Sequence, residues 1–309
     1  MPITDRNLAP AGHNAVDVTQ VPGISTELGE GPLWDDRRQR LLFVDIMRGH
    51  VHEFDPVSGL DRVVEFPWPV GAVALYESGD WLLAAADGFH HADPVTGAST
   101  LVAEVEADRP GNRMNDGCVD ARGRFWAGTM GMHRVRNAGT LYRLDPDGAV
   151  YPMVTPVSTS NGIDWSLDSR TAYYIDTPTG RVDRFDFDLP TGTLTNRRPF
   201  VEIPSADGFP DGLIVDAGGF VWVCLWKGAS VRRYAPDGRL DMVVPTPAAQ
   251  TTKCAFGGAN LDELFITTAW IGLTDAERAA QPLAGAVFRC RPGVKGRPPN
   301  RFAGRTTQA

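Results

Sequence analysis

At four equivalent points of the chain an oxygen-bearing side chain stands directly before a glycine: Glu30 in GEGPLW, Asp116 beside Asn115 in RMNDG, Asn161 in SNG and Asp211 in PDG. Asn-Gly and Asp-Gly are common turn dipeptides, so each of those copies alone reads as a turn former. Glu is not a turn residue, and glycines on both sides of Glu30 indicate a backbone that bends or comes close to something. Gathered in one place, such carboxylates and amides would repel and desolvate one another unless a cation or hydrogen-bond donors compensated them. Hard oxygen donors suit Ca²⁺, Mg²⁺ or Mn²⁺, and an open coordination position leaves room for water and a substrate. The elements that carry these residues decide whether they meet.

Those elements repeat. Six short runs, RLLFVDI, WLLAAAD, FWAGTM, AYYIDT, VWVCLW and ELFITTA, read as strands, and each is followed by a second strand that most often runs into an Asp-Pro-x-x-Gly-like turn, as in VHEFDPVSG and FHHADPVTG. Anchored on Leu42, Trp81, Trp126, Tyr173, Trp222 and Leu264, the repeats stand 39 to 49 residues apart, the period of a four-stranded propeller blade. A further strand follows in five repeats; the sixth is one strand short. The β-like run AVDVTQ near the N-terminus is outside any repeat and is expected to complete the last blade, closing the ring and removing an exposed edge. The fold class expected is therefore all-β, a six-bladed β-propeller of four-stranded blades closed by an N-terminal strand. One domain is expected, with a core over about 15–291 and irregular segments at 1–14 and 292–309. The residue 10 to 12 positions before each anchor marks the entrance of an innermost strand: Glu30, Val70, Asn115 followed by Asp116, Asn161, Asp211, and Lys253 or Cys254. A ring turns all six entrances toward one mouth.

Composition narrows the function. With 33 Gly and 24 Pro spread along the chain, no stretch sustains a helical period. A formal net charge of −8 argues against binding nucleic acid. The N-terminus lacks the basic start and apolar run of a signal peptide, and no 18 consecutive residues are apolar, so a cytoplasmic protein without a membrane partner is expected. Cys118, Cys224, Cys254 and Cys290 are widely spaced and read as free, mostly buried thiols. His90 and His91 are adjacent on a strand, point to opposite faces and cannot chelate one ion together. There is no G-x-S-x-G elbow and no H-E-x-x-H. Trp34, Trp165, Trp226 and Trp270 fall near blade entrances or strand ends; most read as core, with one available to stack on a bound ring. The basic, Pro/Gly-rich GVKGRPPNRFAGR reads as a solvated tail.

GEGPLW, NRMNDGCVDARGRFWAGTM, SNGIDWSLD, YYIDT, PDGLIVDAGGFVWV and KCAFGG closely resemble, in order and spacing, the family of senescence marker protein (regucalcin), gluconolactonases and luciferin-regenerating enzyme. The resemblance spans roughly residues 15 to 305. It implies a six-bladed propeller that hydrolyses sugar lactones at one divalent metal ion, Ca²⁺, Zn²⁺, Mn²⁺, Mg²⁺ or Fe²⁺, an identity the sequence does not choose. Carried over by position, Glu30, Asn161 and Asp211 would be the metal ligands, and Arg113 and Asn115 would hold the ring oxygens and hydroxyls of the substrate. His133 stands three residues after GTM, where vertebrate members place a Glu that contacts the sugar; it is a candidate substrate contact or a loop residue.

The function expected is metal-dependent hydrolysis of an aldonolactone to its aldonic acid, with Asp211 as general base for the attacking water. Two alternatives stand beside it: an esterase or phosphotriesterase on the same metal, and a calcium-binding propeller without catalysis. The hydroxyl-binding character of Arg113 and Asn115 favours the sugar.

Overall fold

The computed structural model describes residues 16–305. Six antiparallel four-stranded sheets stand around a common axis. Their innermost strands are Gly29–Asp35, Val70–Leu75, Asn112–Val119, Ser160–Trp165, Phe209–Val215 and Thr251–Gly257, and all six are largely buried. The chain is a six-bladed β-propeller, and its one α-helix among the described residues is Asp275–Ala280. That helix starts on a capping box formed by Thr274 and Glu277. No helix among the described residues is long and apolar enough to cross a membrane.

The ring closes as the short sixth repeat requires. Thr19–Gln20 pairs antiparallel with Phe288–Cys290, supplying the outer strand of the last blade. The closing strand is shorter than the run that announces it; residue 15, like 1–14, lies outside the described residues. Between blades, Trp81, Trp126 and Trp222, three of the repeat anchors, are fully buried. Each such side chain contributes on the order of 2 to 3 kcal/mol by leaving water. Asp120 and Asp216 accept from the indole nitrogens of Trp126 and Trp222 at 2.9 Å, so the polar edges of these two rings have partners.

The C-terminal segment corrects the reading of a solvated tail. Arg297 donates to both carboxylate oxygens of Asp164 at 2.8 Å and to the Val215 carbonyl at 3.0 Å. Asn300 donates to the Val119 carbonyl, Arg301 pairs with Asp35 and Asp36, and Phe302 is buried against Tyr76. Residues 295–303 thus cross beneath the ring and fasten onto all of its blades, with Lys295 and Gly296 bonded to Ala217 and Leu261. Between this strap and the axis remains a cavity of about 120 Å³ lined by Gly117, Cys118, Asp164, Lys253, Arg297 and Asn300 among others. A composition rule sees basic and Pro-rich residues; their acidic partners are elsewhere in the chain. All four cysteines are free.

Candidate active site

Every innermost strand breaks its register with the second strand at the same height, near the mouth. The shifts fall between Glu30 and Leu33, Val70 and Ala72, Met114 and Gly117, Ser160 and Ile163, Pro210 and Leu213, and Thr251 and Cys254. A β-bulge re-aims one side chain out of the pleat, and here it does so six times around one axis. The glycines beside the polar residues therefore lie in bulges within strands and not in turns. A Cβ on Gly162 would collide with the backbone of Leu213 in the next blade, and one on Gly212 with the side chain of Lys253. Close approach of neighbouring inner strands is what demands glycine there.

Glu30, Asn161 and Asp211 come together at the axis, each at most 5 % exposed. Neighbouring residues fix their backbones. Asp45 accepts from the amides of Glu27 and Leu28 at 2.8 and 3.0 Å, just before Glu30, and Asp176 does the same for Ser158 and Thr159 before Asn161. The Asn161 amide nitrogen donates to Thr177 Oγ1 at 2.9 Å, and Thr177 donates in turn to the carbonyl of Pro210 at 2.8 Å, next to Asp211. This leaves Asn161 Oδ1 buried without a hydrogen-bond partner. Such an orphan is costly unless something absent from the protein itself satisfies it.

The charges point the same way. Burial pushes the Glu30 carboxyl up to about 8, with Asp116 pushing further and Lys253, the Gly31 N–H and Arg113 opposing. Burial, then Glu30 and Asp116, raise Asp211 well above the usual carboxylate range, against the Asn161 side chain and Lys253. Two buried carboxylates and an unpartnered amide oxygen are donors of the kind that could hold one divalent cation. No group of three or more His, Cys, Asp and Glu occurs in metal-holding geometry among the described residues; this set contains two carboxylates and an amide.

Arg113 and Asn115 sit in the same mouth, buried and bonded to each other. Arg113 donates to Asn115 Oδ1 at 2.8 Å and to its neighbour's carbonyl, while Asn115 donates to the Ser160 carbonyl at 2.9 Å. Burial lowers the Arg113 guanidinium to about 10, with Glu30 and Asp211 supporting its charge and Arg134 opposing it. His133 is exposed on the loop between Phe125–Gly131 and Gly139–Leu144 and joins none of these contacts.

Three features escaped the sequence. Lys253 forms a buried ion pair with Asp116 and reaches the Gly117 carbonyl at 3.3 Å, so two blade entrances compensate each other across the axis. Thr177 orients Asn161. Arg134 reaches over the mouth, its guanidinium carbon 6.0 Å from the ring centre of Trp226. The equivalent positions of Asp116 and Lys253 at two blade entrances hinted at the first; the other two carry no local signal. Of the tryptophans, Trp34 and Trp165 are core, whereas Trp226 and Trp270 are partly exposed at the mouth and face arginines. His90 and His91 bind different carboxylates, Asp87 and Asp80.

The family described as SMP-30/Gluconolactonase/LRE-like region matches residues 28–270, a span that begins ahead of Glu30 and ends just past the sixth inner hairpin. The chain belongs to this family. Among its relatives, regucalcin of Xenopus laevis is 38% identical over 298 residues, covering 94% of this chain and 100% of that protein. A Bacillus subtilis (strain 168) protein named "Putative sugar lactone lactonase YvrE" is 37% identical over 278 residues, covering 90% and 95%. Among solved structures, a calcium-binding protein, regucalcin, from Agrobacterium tumefaciens str. C58 superposes with a TM-score of 0.88 at 32% identity, covering 94% of this chain and 97% of that one. The ring, its closure and the bulged mouth are thus features of an SMP-30/gluconolactonase propeller.

Proposed function

We propose that this propeller is a divalent-metal-dependent lactonase that opens an aldonolactone to its aldonic acid. The observation that carries the proposal is the orphaned Asn161 Oδ1 between two buried carboxylates whose proton affinities are raised by burial and mutual repulsion. Glu30, Asn161 and Asp211 would hold the ion, and the names of the Bacillus and Agrobacterium relatives support both the lactone and the metal. Bound there, a divalent ion supplies Lewis-acid polarisation of the lactone carbonyl.

The chain's own groups do the rest. Asp211 accepts the proton of the attacking water as its oxygen bonds to the acyl carbon, and returns it to the ring oxygen when the acyl C–O bond breaks. Arg113, fixed by Asn115 and the Met114 carbonyl, keeps guanidinium N–H groups for the hydroxyls of the sugar and holds it in one pose. Lys253, already paired with Asp116, lowers the cost of assembling the carboxylates without occupying their oxygens.

The test is titration of acid release across a panel of aldonolactones, after chelation and then with single metals restored. Turnover that disappears on chelation and returns with one metal supports the proposal. Full activity in protein shown by elemental analysis to be metal-free refutes it, and tight calcium binding without turnover of any lactone marks a calcium-binding propeller instead.

A further inference from the structure

The loop over residues 132–138 is built to stay where it is. Met132 N–H donates to the Gly111 carbonyl at 2.8 Å, Arg134 N–H to the Gly131 carbonyl at 2.8 Å, and Asn137 N–H to Ser158 Oγ at 3.1 Å in the following blade. Arg134 and Asn137 both adopt left-handed backbone, with φ of 55° and 58°. Non-glycine residues adopt this conformation infrequently, and turns that hold a functional side chain are where such local strain collects. The outcome is that Arg134, an exposed residue of the third blade, extends across the fourth to the Trp226 ring of the fifth.

Among the described residues Arg134 makes no ion pair with a carboxylate. The nearby acids on the rim are already engaged: Glu106 accepts from Asn112, Thr129 and Tyr142, and Asp207 pairs with Arg232. Arg134 also stands close enough to Arg113 to disfavour its charge. A cation set over an aromatic face, free of internal partners and facing a second arginine, is a place where an anion would relieve repulsion and gain charge-assisted hydrogen bonds.

We propose that Arg134 is a specificity-determining residue that binds an anionic group of the substrate, so that the preferred lactone carries a carboxylate on the carbon distal to its lactone carbonyl. The inference rests on the lactonase reading above and names its substrate class. A planar guanidinium fork offers a bidentate edge, which matches a planar carboxylate better than a phosphate dianion in need of more donors. Arg113 below remains the group for hydroxyls, and the two arginines divide the substrate between them.

The experiment compares a neutral lactone with its carboxylated counterpart, D-gluconolactone against D-glucarolactone, in wild type, Arg134→Gln and Arg134→Lys. The wild-type ratio of kcat/KM should favour the carboxylated lactone and fall as salt is raised. Arg134→Gln should lower that ratio about tenfold, mainly through KM, and Arg134→Lys should restore part of it. Calorimetric titration with the ring-opened acids, glucarate against gluconate, reads the same preference without turnover. Hydrolysis of neutral lactones with no charged preference, or an unchanged ratio in Arg134→Gln, overturns the role of Arg134 and leaves the lactonase standing. A glucarate preference that depends on Arg134 in a protein that opens no lactone upholds the anion site and removes the lactonase. Preference for a phosphorylated lactone over both overturns the carboxylate.

Discussion

Replacing Glu30 by glutamine keeps the shape of the side chain and removes the charge that burial penalises. In the chelated protein the Glu30 carboxyl rises from 4.5 to about 8 on folding. A folded value above the unfolded one means that the stabilising contribution is complete below pH 4.5 and is lost as pH climbs through 8. The 3.5 units between these values, at 1.36 kcal/mol each, correspond to roughly 5 kcal/mol. Glutamine has no proton to lose, so metal-free Glu30→Gln should gain on wild type by up to this amount between pH 4.5 and 8. For a chain of this length about 1.5 °C of melting temperature accompanies each kcal/mol, or roughly 7 °C in all. Thermal unfolding of both proteins in chelator at pH 5, 6.5 and 8 measures it. A difference in melting temperature that stays constant across this window would falsify the claim that Glu30 is folded at the expense of its own ionisation. Adding a divalent metal at pH 8 should reverse the ranking, because ligand binding stabilises the form that binds it.

At saturating metal Glu30→Gln should recover much of its kcat whereas Asp211→Asn stays lower by about 10² to 10⁴, the usual worth of a positioned base; equal recovery in steady-state kinetics would reduce Asp211 to a ligand. Thr177→Val preserves volume but releases the Asn161 amide, and should weaken metal affinity about 10- to 100-fold, as loss of a ligand's orienting partner does. Competition with a fluorescent chelator measures it, and unchanged affinity would show that Thr177 does not orient Asn161. Arg297→Ala leaves Asp164 beneath the ring without its guanidinium partner and should cost roughly 3 kcal/mol of stability. Denaturant unfolding reads this loss, and a midpoint equal to that of wild type would return the C-terminal strap to the status of a solvated tail.

What the sequence determined by itself is the periodic part of the molecule. Strands, Asp-Pro-x-x-Gly hairpins and a spacing near 44 residues are local properties, and a propeller is their repetition. Position within the repeat also carried Glu30, Asn161 and Asp211 to a single mouth, since equivalent residues of a ring face a common axis. The meaning of their glycines was decided only by the fold: turn dipeptides in sequence, they sit in bulges where inner strands crowd one another. The tail was misread because composition counts its arginines and not their partners, Asp164 and Asp35, which lie 133 and 266 residues away in the chain. Lys253 and Asp116, 137 residues apart, and Arg134 and Trp226, in different blades, are of the same kind. No local pattern encodes such pairs, because their members are brought together only once the ring has closed, and for the buried ones the force that joins them is the cost of burying a charge without a partner.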